Sequence, residues 1–108
     1  QRTILIGACL VAARVTAAQD ERPGPRFAID VTRDVMVPMR DGVRLATDVY
    51  RPRGVTDRLP VILIRLPYNK ARYRGATEPA SFFAGQGYVV AVQDVRGKWA
   101  SEGTYSVE

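Results

Sequence analysis

The chain has 108 residues, one cysteine, no histidine and a formal net charge of +5. That length holds one domain at most, Cys9 alone cannot form an intramolecular disulfide, and a zinc site without histidine is not expected. Serine occurs only at Ser81, Ser101 and Ser106, none of them in a G-x-S-x-G turn, so these residues cannot supply a Ser-His-Asp triad.

Residues 1–18 have the order of an export signal. Arg2 supplies positive charge, residues 3–13 form an apolar core, and Val15-Thr16-Ala17-Ala18 supply small residues, with cleavage expected after Ala17 or Ala18. The apolar run is too short to span a bilayer as a helix. The expected location is therefore secreted or periplasmic, with no stable membrane association after cleavage. Ile6-Gly7-Ala8-Cys9 offers a lipoprotein alternative with Cys9 acylated, and a buried N-terminal helix is the non-targeting one. Residues 19–27, rich in charge and containing Pro23-Gly24-Pro25, read as a linker to a domain over 28–108.

From Val35 the apolar residues alternate. Val35, Val37 and Met39 form one run, Val43, Leu45, Thr47 and Val49 another, and Arg40-Asp41-Gly42 between them predicts a β-hairpin. Alternation predicts one buried and one wetter face, as at a sheet margin. Pro52 ends the second strand, because proline cannot donate to a ladder. Residues 61–64 and 88–92 are continuous apolar runs, which predicts strands covered on both faces. A helix over 77–86, capped by Thr77 with Pro79 in its first turn, joins them and makes them parallel. The fold class is α/β: a hairpin followed by a βαβ unit, the incomplete N-terminal part of a larger sheet. Alone, such a piece is expected to expose a parallel edge and aggregate.

Charge is spread along the chain. Of its sixteen cationic residues only Lys70 and Lys98 are lysines, and no basic stripe with interleaved aromatics exists for nucleic acid. Arg65, Lys70, Arg72 and Arg74 form the one local concentration, and a solvated loop is expected for three of these four.

Three segments carry more than topology: residues 37–52 (VPMRDGVRLATDVYRP), 63–68 (LIRLPY) and 93–103 (QDVRGKWASEG). In this order they resemble the start of the X-Pro dipeptidyl-peptidase/cocaine esterase (CocE/NonD) family of α/β-hydrolases. The resemblance covers roughly residues 30–108 and no more of that family's catalytic domain than its first third. It implies a serine hydrolase that cleaves ester or amide bonds in small molecules or peptides through an acyl-serine, without a cofactor. The nucleophile, Asp and His would then lie beyond Glu108. A truncated, inactive product or a small exported binding module is the alternative.

In that family the tyrosine of the R-x-P-Y motif donates its hydroxyl to the oxyanion, and Tyr68 occupies that position. The loop after a parallel strand is where α/β folds place ligands, and Pro67 stiffens the approach. An oxyanion donor of this kind lowers a barrier by about 2.7–4 kcal/mol. Packing of the ring on the sheet, with the hydroxyl on a carbonyl, is the other reading of Tyr68. Asp94 and Arg96 are expected to scaffold loops and Trp99 to cover the sheet end, with substrate contact the alternative for each. Arg65 is expected to pair with Asp94 and brace the Tyr68 loop. Ser101 and Ser106 are not candidates for the nucleophile, since neither sits on a strand–turn–helix elbow.

Overall fold

The computed structural model describes residues 23–74 and 79–106. The export signal, Cys9 and the Thr77 cap lie outside the described residues. Within them the elements are β1 (Ile29–Pro38), β2 (Arg44–Pro52), β3 (Val61–Leu66), a single 3-10 turn (Lys70–Tyr73), α1 (Pro79–Gly85) and β4 (Val89–Asp94). No helix among them is long and apolar enough to cross a membrane.

The hairpin forms where the alternation places it. Met39 and Val43 close the turn (Met39 N to Val43 O, 2.8 Å), and Gly42 adopts φ 85, the left-handed conformation that glycine tolerates without a Cβ penalty. The four strands run in the order β1-β2-β4-β3, with β3 and β4 parallel and the other two neighbouring pairs antiparallel. The predicted parallel pair is therefore real, and its strands lie side by side.

One expectation about burial needs correction. β2 is an interior strand, and Leu45, Ala46, Thr47, Asp48 and Tyr50 are all buried, so its alternation does not mark a wet face. β1 is the margin. Among the described residues β3 is covered on one face: Ile62 and Ile64 pack on the core, while Val61 and Leu63 on the other face are 63% and 53% exposed, so the second layer expected over this run is not supplied by these elements. β4, flanked on both sides, has the burial predicted for it.

The core lies between the sheet and α1. Tyr50, Leu66, Val90 and Val92 meet Ala80 and Ala84, whose small side chains let the helix sit close. Each fully buried Val or Leu here stabilises by about 1.5–3 kcal/mol. Residues 23–27 have no regular structure but are bonded to the end of α1, through Arg26 N and Phe27 N to Gly85 O (2.8 and 3.0 Å).

β1 carries an irregularity that matters below. Thr32 pairs with Val49 and Val35 with Thr47, so Arg33 and Asp34 together oppose Asp48. Asp34 takes φ 53 at this bulge, which turns its backbone N–H onto the Asp48 carboxylate at 3.1 Å.

Candidate active site

The carboxyl ends of β3 and β4 lie side by side, with Leu66 paired to Asp94. Two loops leave this edge. One runs Pro67-Tyr68-Asn69 into the 3-10 turn, and the other runs from Val95 through Trp99 to Glu102.

Asp94 organises both loops. It is fully buried, and its carboxylate accepts from Lys70 N at 2.8 Å and from Ala100 N at 3.3 Å. Its own carbonyl accepts from the Ser101 hydroxyl at 2.7 Å, and that hydroxyl in turn accepts from Ala46 N at 2.9 Å. Ser101 thus bolts the loop to β2 and has no nucleophilic geometry. The loop-scaffolding role expected of Asp94 and Arg96 is what the contacts give, since Arg96 pairs with Asp41 in the hairpin turn at 2.7 Å. Gly97, at φ 74, is required there. A Cβ would stand 2.1 Å from Tyr105 N, inside backbone that cannot yield.

The expected Arg65–Asp94 pair does not form. Register places Arg65 opposite Gln93, and Arg65 Nε donates to the Gln93 side chain at 2.8 Å. Gln93 also donates to Thr47 at 2.9 Å, giving a polar row across three strands on the face away from α1. Side chains alternate faces along a strand, so Arg65 and Asp94 point to opposite sides of the sheet.

A solvated loop is expected for three of the cations Arg65, Lys70, Arg72 and Arg74; Arg72 is exposed, but Arg65 lies on β3 and Lys70 and Arg74 are drawn inward. Lys70 is 2% exposed, and its ammonium reaches Asp48 at 3.0 Å and also bonds Asp34. Arg74 Nε donates to the other Asp48 oxygen at 3.0 Å, and Arg33 lies 3.5 Å from it. Burial by itself pushes the Asp48 carboxyl up. Hydrogen bonds from Arg74, the Asp34 amide and Lys70 outweigh that effect and hold it below the usual aspartate value. This cluster escaped the sequence because strand periodicity gave Asp48 a wet face. Two signals pointed to it: an aspartate inside an apolar strand, and a lysine in a chain that otherwise relies on arginine.

Tyr68 stands between these fixed points. Its side chain is 69% exposed, and among the described residues its hydroxyl has no hydrogen-bond partner. The ring does not pack into the sheet. Its backbone, by contrast, is held on both sides. Trp99 Nε1 donates to the Pro67 carbonyl at 2.9 Å, and Asn69, at φ 80, accepts from Ala71 N at 3.0 Å. Trp99 itself sits at φ 52, a conformation costing a bulky residue roughly 1–3 kcal/mol. Its indole is 55% exposed, so it fastens the neighbouring loop more than it covers the sheet end.

The family model for X-Pro dipeptidyl-peptidase (S15 family) matches residues 41–108. A cocaine esterase from Rhodococcus sp. (strain MB1 Bresler) is 47% identical over 78 residues, covering 69% of this chain and 13% of that protein. Among solved structures, an aminopeptidase from a marine sediment Thaumarchaeota archaeon aligns with a TM-score of 0.62 at 34% identity, over 79% of this chain and 15% of that one. An α-amino acid ester hydrolase aligns with a TM-score of 0.60 at 33% identity, over 86% and 17%. The chain thus spans less than a fifth of the length of these relatives, and its mixed sheet is the N-terminal part of an α/β fold of their kind. By both the matched family model and the identity to its relatives, the chain belongs to the X-Pro dipeptidyl-peptidase (S15) family.

Proposed function

We propose that this chain is the N-terminal part of a serine hydrolase that cleaves ester or amide bonds, and that Tyr68 is one of its oxyanion donors. The observation that carries this reading is the exposed phenol, without a hydrogen-bond partner among the described residues, on a backbone fixed at both flanks at the carboxyl end of a parallel strand. A donor aimed in advance at developing negative charge needs no reorganisation during reaction, which is the condition for strong electrostatic catalysis.

The chemistry proposed is acyl transfer. A serine from a later part of the enzyme attacks the substrate carbonyl, and the oxygen that gains the electron pair accepts from Tyr68 O–H and from the amide following the nucleophile. Collapse expels the alcohol or amine and leaves an acyl-serine, which water then opens to the free acid. The substrates named for the relatives, cocaine and α-amino acid esters, carry such bonds and support an acyl-transfer substrate of either class. Export remains part of the proposal and rests on residues 1–18.

The test uses the whole enzyme that carries this segment. A fluorophosphonate probe is expected to label one serine, and Tyr68→Phe is expected to lower kcat by about a hundredfold to a thousandfold with little change in KM. Absence of labelling, as an inactive relic or a binding module would give, overturns the serine mechanism. Unchanged kcat removes Tyr68 from the site.

A further inference from the structure

Two side chains hold the backbone on either side of Tyr68, and neither is the tyrosine itself. On the amino side, Trp99 fixes the Pro67 carbonyl. On the carboxyl side, Lys70 is fixed twice, through its amide to Asp94 and through its ammonium to Asp48 and Asp34. Only Tyr68 and Asn69 lie between them. Asp94 joins the two anchors, because one of its oxygens holds Lys70 and the other holds Ala100, the residue after Trp99.

We infer that Lys70 and Trp99 are positioning residues that set the direction of the Tyr68 hydroxyl from either side of the loop. The inference rests on the oxyanion reading of Tyr68. The residue types suit the task. A lysine ammonium is a compact charge with three donors, able to sit between the carboxylates of β1 and β2. The bulge at Arg33–Asp34 brings the Asp34 carboxylate to that point. An indole offers one N–H on a rigid ring, and the φ of Trp99 shows that the loop holds it there against its local preference.

A positioning role has a signature that a merely structural one lacks. Whatever Lys70 and Trp99 contribute to turnover passes through Tyr68 and disappears with its hydroxyl. The experiment is a pair of double-mutant cycles in the whole enzyme, with p-nitrophenyl acetate as substrate. Trp99→Phe keeps a ring and deletes the donor, and should lower kcat by about threefold to tenfold. Lys70→Met should lower it by about a hundredfold, the scale of a misplaced catalytic group. In both, KM should stay within about twofold.

In a Tyr68→Phe background neither substitution should lower kcat further. Losses of equal factor in the two backgrounds, or no loss in the parent, overturn the inference while leaving Tyr68 in place. Full kcat in Tyr68→Phe alone defeats the oxyanion reading instead, and is seen before either anchor is tested. Should Lys70→Met fail to fold, Trp99→Phe decides the question, since its ring lies largely in solvent.

Discussion

Two groups of ion pairs brace this sheet, and burial makes them different in kind. At the hairpin turn, Arg96 meets Asp41 and Arg44 meets Glu102, all of them exposed to solvent. The Arg96 side chain lowers the Asp41 carboxyl, and the Arg44 side chain lowers Glu102. Inside the sheet, Asp48 has no exposure and is held by Lys70 and Arg74. Exposed pairs are screened by water and salt and contribute little, whereas a buried charge whose partner is removed has no solvent to replace it. The surface pairs orient loops; the buried group forces Lys70, and with it the segment after Tyr68, into one place.

The sharpest way to break this contrast is Asp48→Asn, which removes the buried one of the two carboxylates on the Lys70 ammonium and leaves it only the exposed Asp34. We expect it to lower the unfolding free energy of the domain by about 3–5 kcal/mol, measured by urea titration. Ser101→Ala removes the donor to the Asp94 carbonyl at the end of β4 and the acceptor for the Ala46 amide of β2, and should cost about 1–3 kcal/mol in the same measurement. Arg44→Gln should have the smallest effect, and that effect should vanish at high salt.

Acid sharpens the same contrast. The folded Asp48 value lies below its unfolded value, so its ionised form stabilises the fold above the ordinary aspartate pKa of about 3.9. That contribution is lost as pH falls from there through the lowered folded value. Unfolding free energy should therefore drop over this acidic window in the parent protein. The Asp48→Asn variant should lack that part of the slope, and equal slopes in the two proteins would contradict the assignment.

What the sequence made legible follows from which residues speak locally. The Arg40-Asp41-Gly42 turn, the Pro52 stop and the apolar runs at 61–64 and 88–92 each act through short-range chemistry, and all mark elements of the fold. Tyr68 was legible through the family's R-x-P-Y motif, while the residues alone left its ring free to pack on the sheet. What holds it was not. Lys70 meets Asp48 from 22 positions away and Asp34 from 36, contacts made by the β2–β4 pairing and the β1 bulge rather than by any spacing along the chain. The partner of Arg65 is hidden for a related reason. Proximity to a strand end suggested Asp94, while the alternation of faces decided for Gln93.

The central claim is that Tyr68 is held ready to meet an oxyanion, and one structure tests it most directly: the whole protein with a boronic acid bound at the serine proposed as nucleophile. A tetrahedral boronate oxygen within about 2.7–3.1 Å of the Tyr68 hydroxyl, with Trp99 still on the Pro67 carbonyl, is the predicted result. A boronate whose oxygens are all satisfied by other donors, with the phenol turned into solvent, would contradict it.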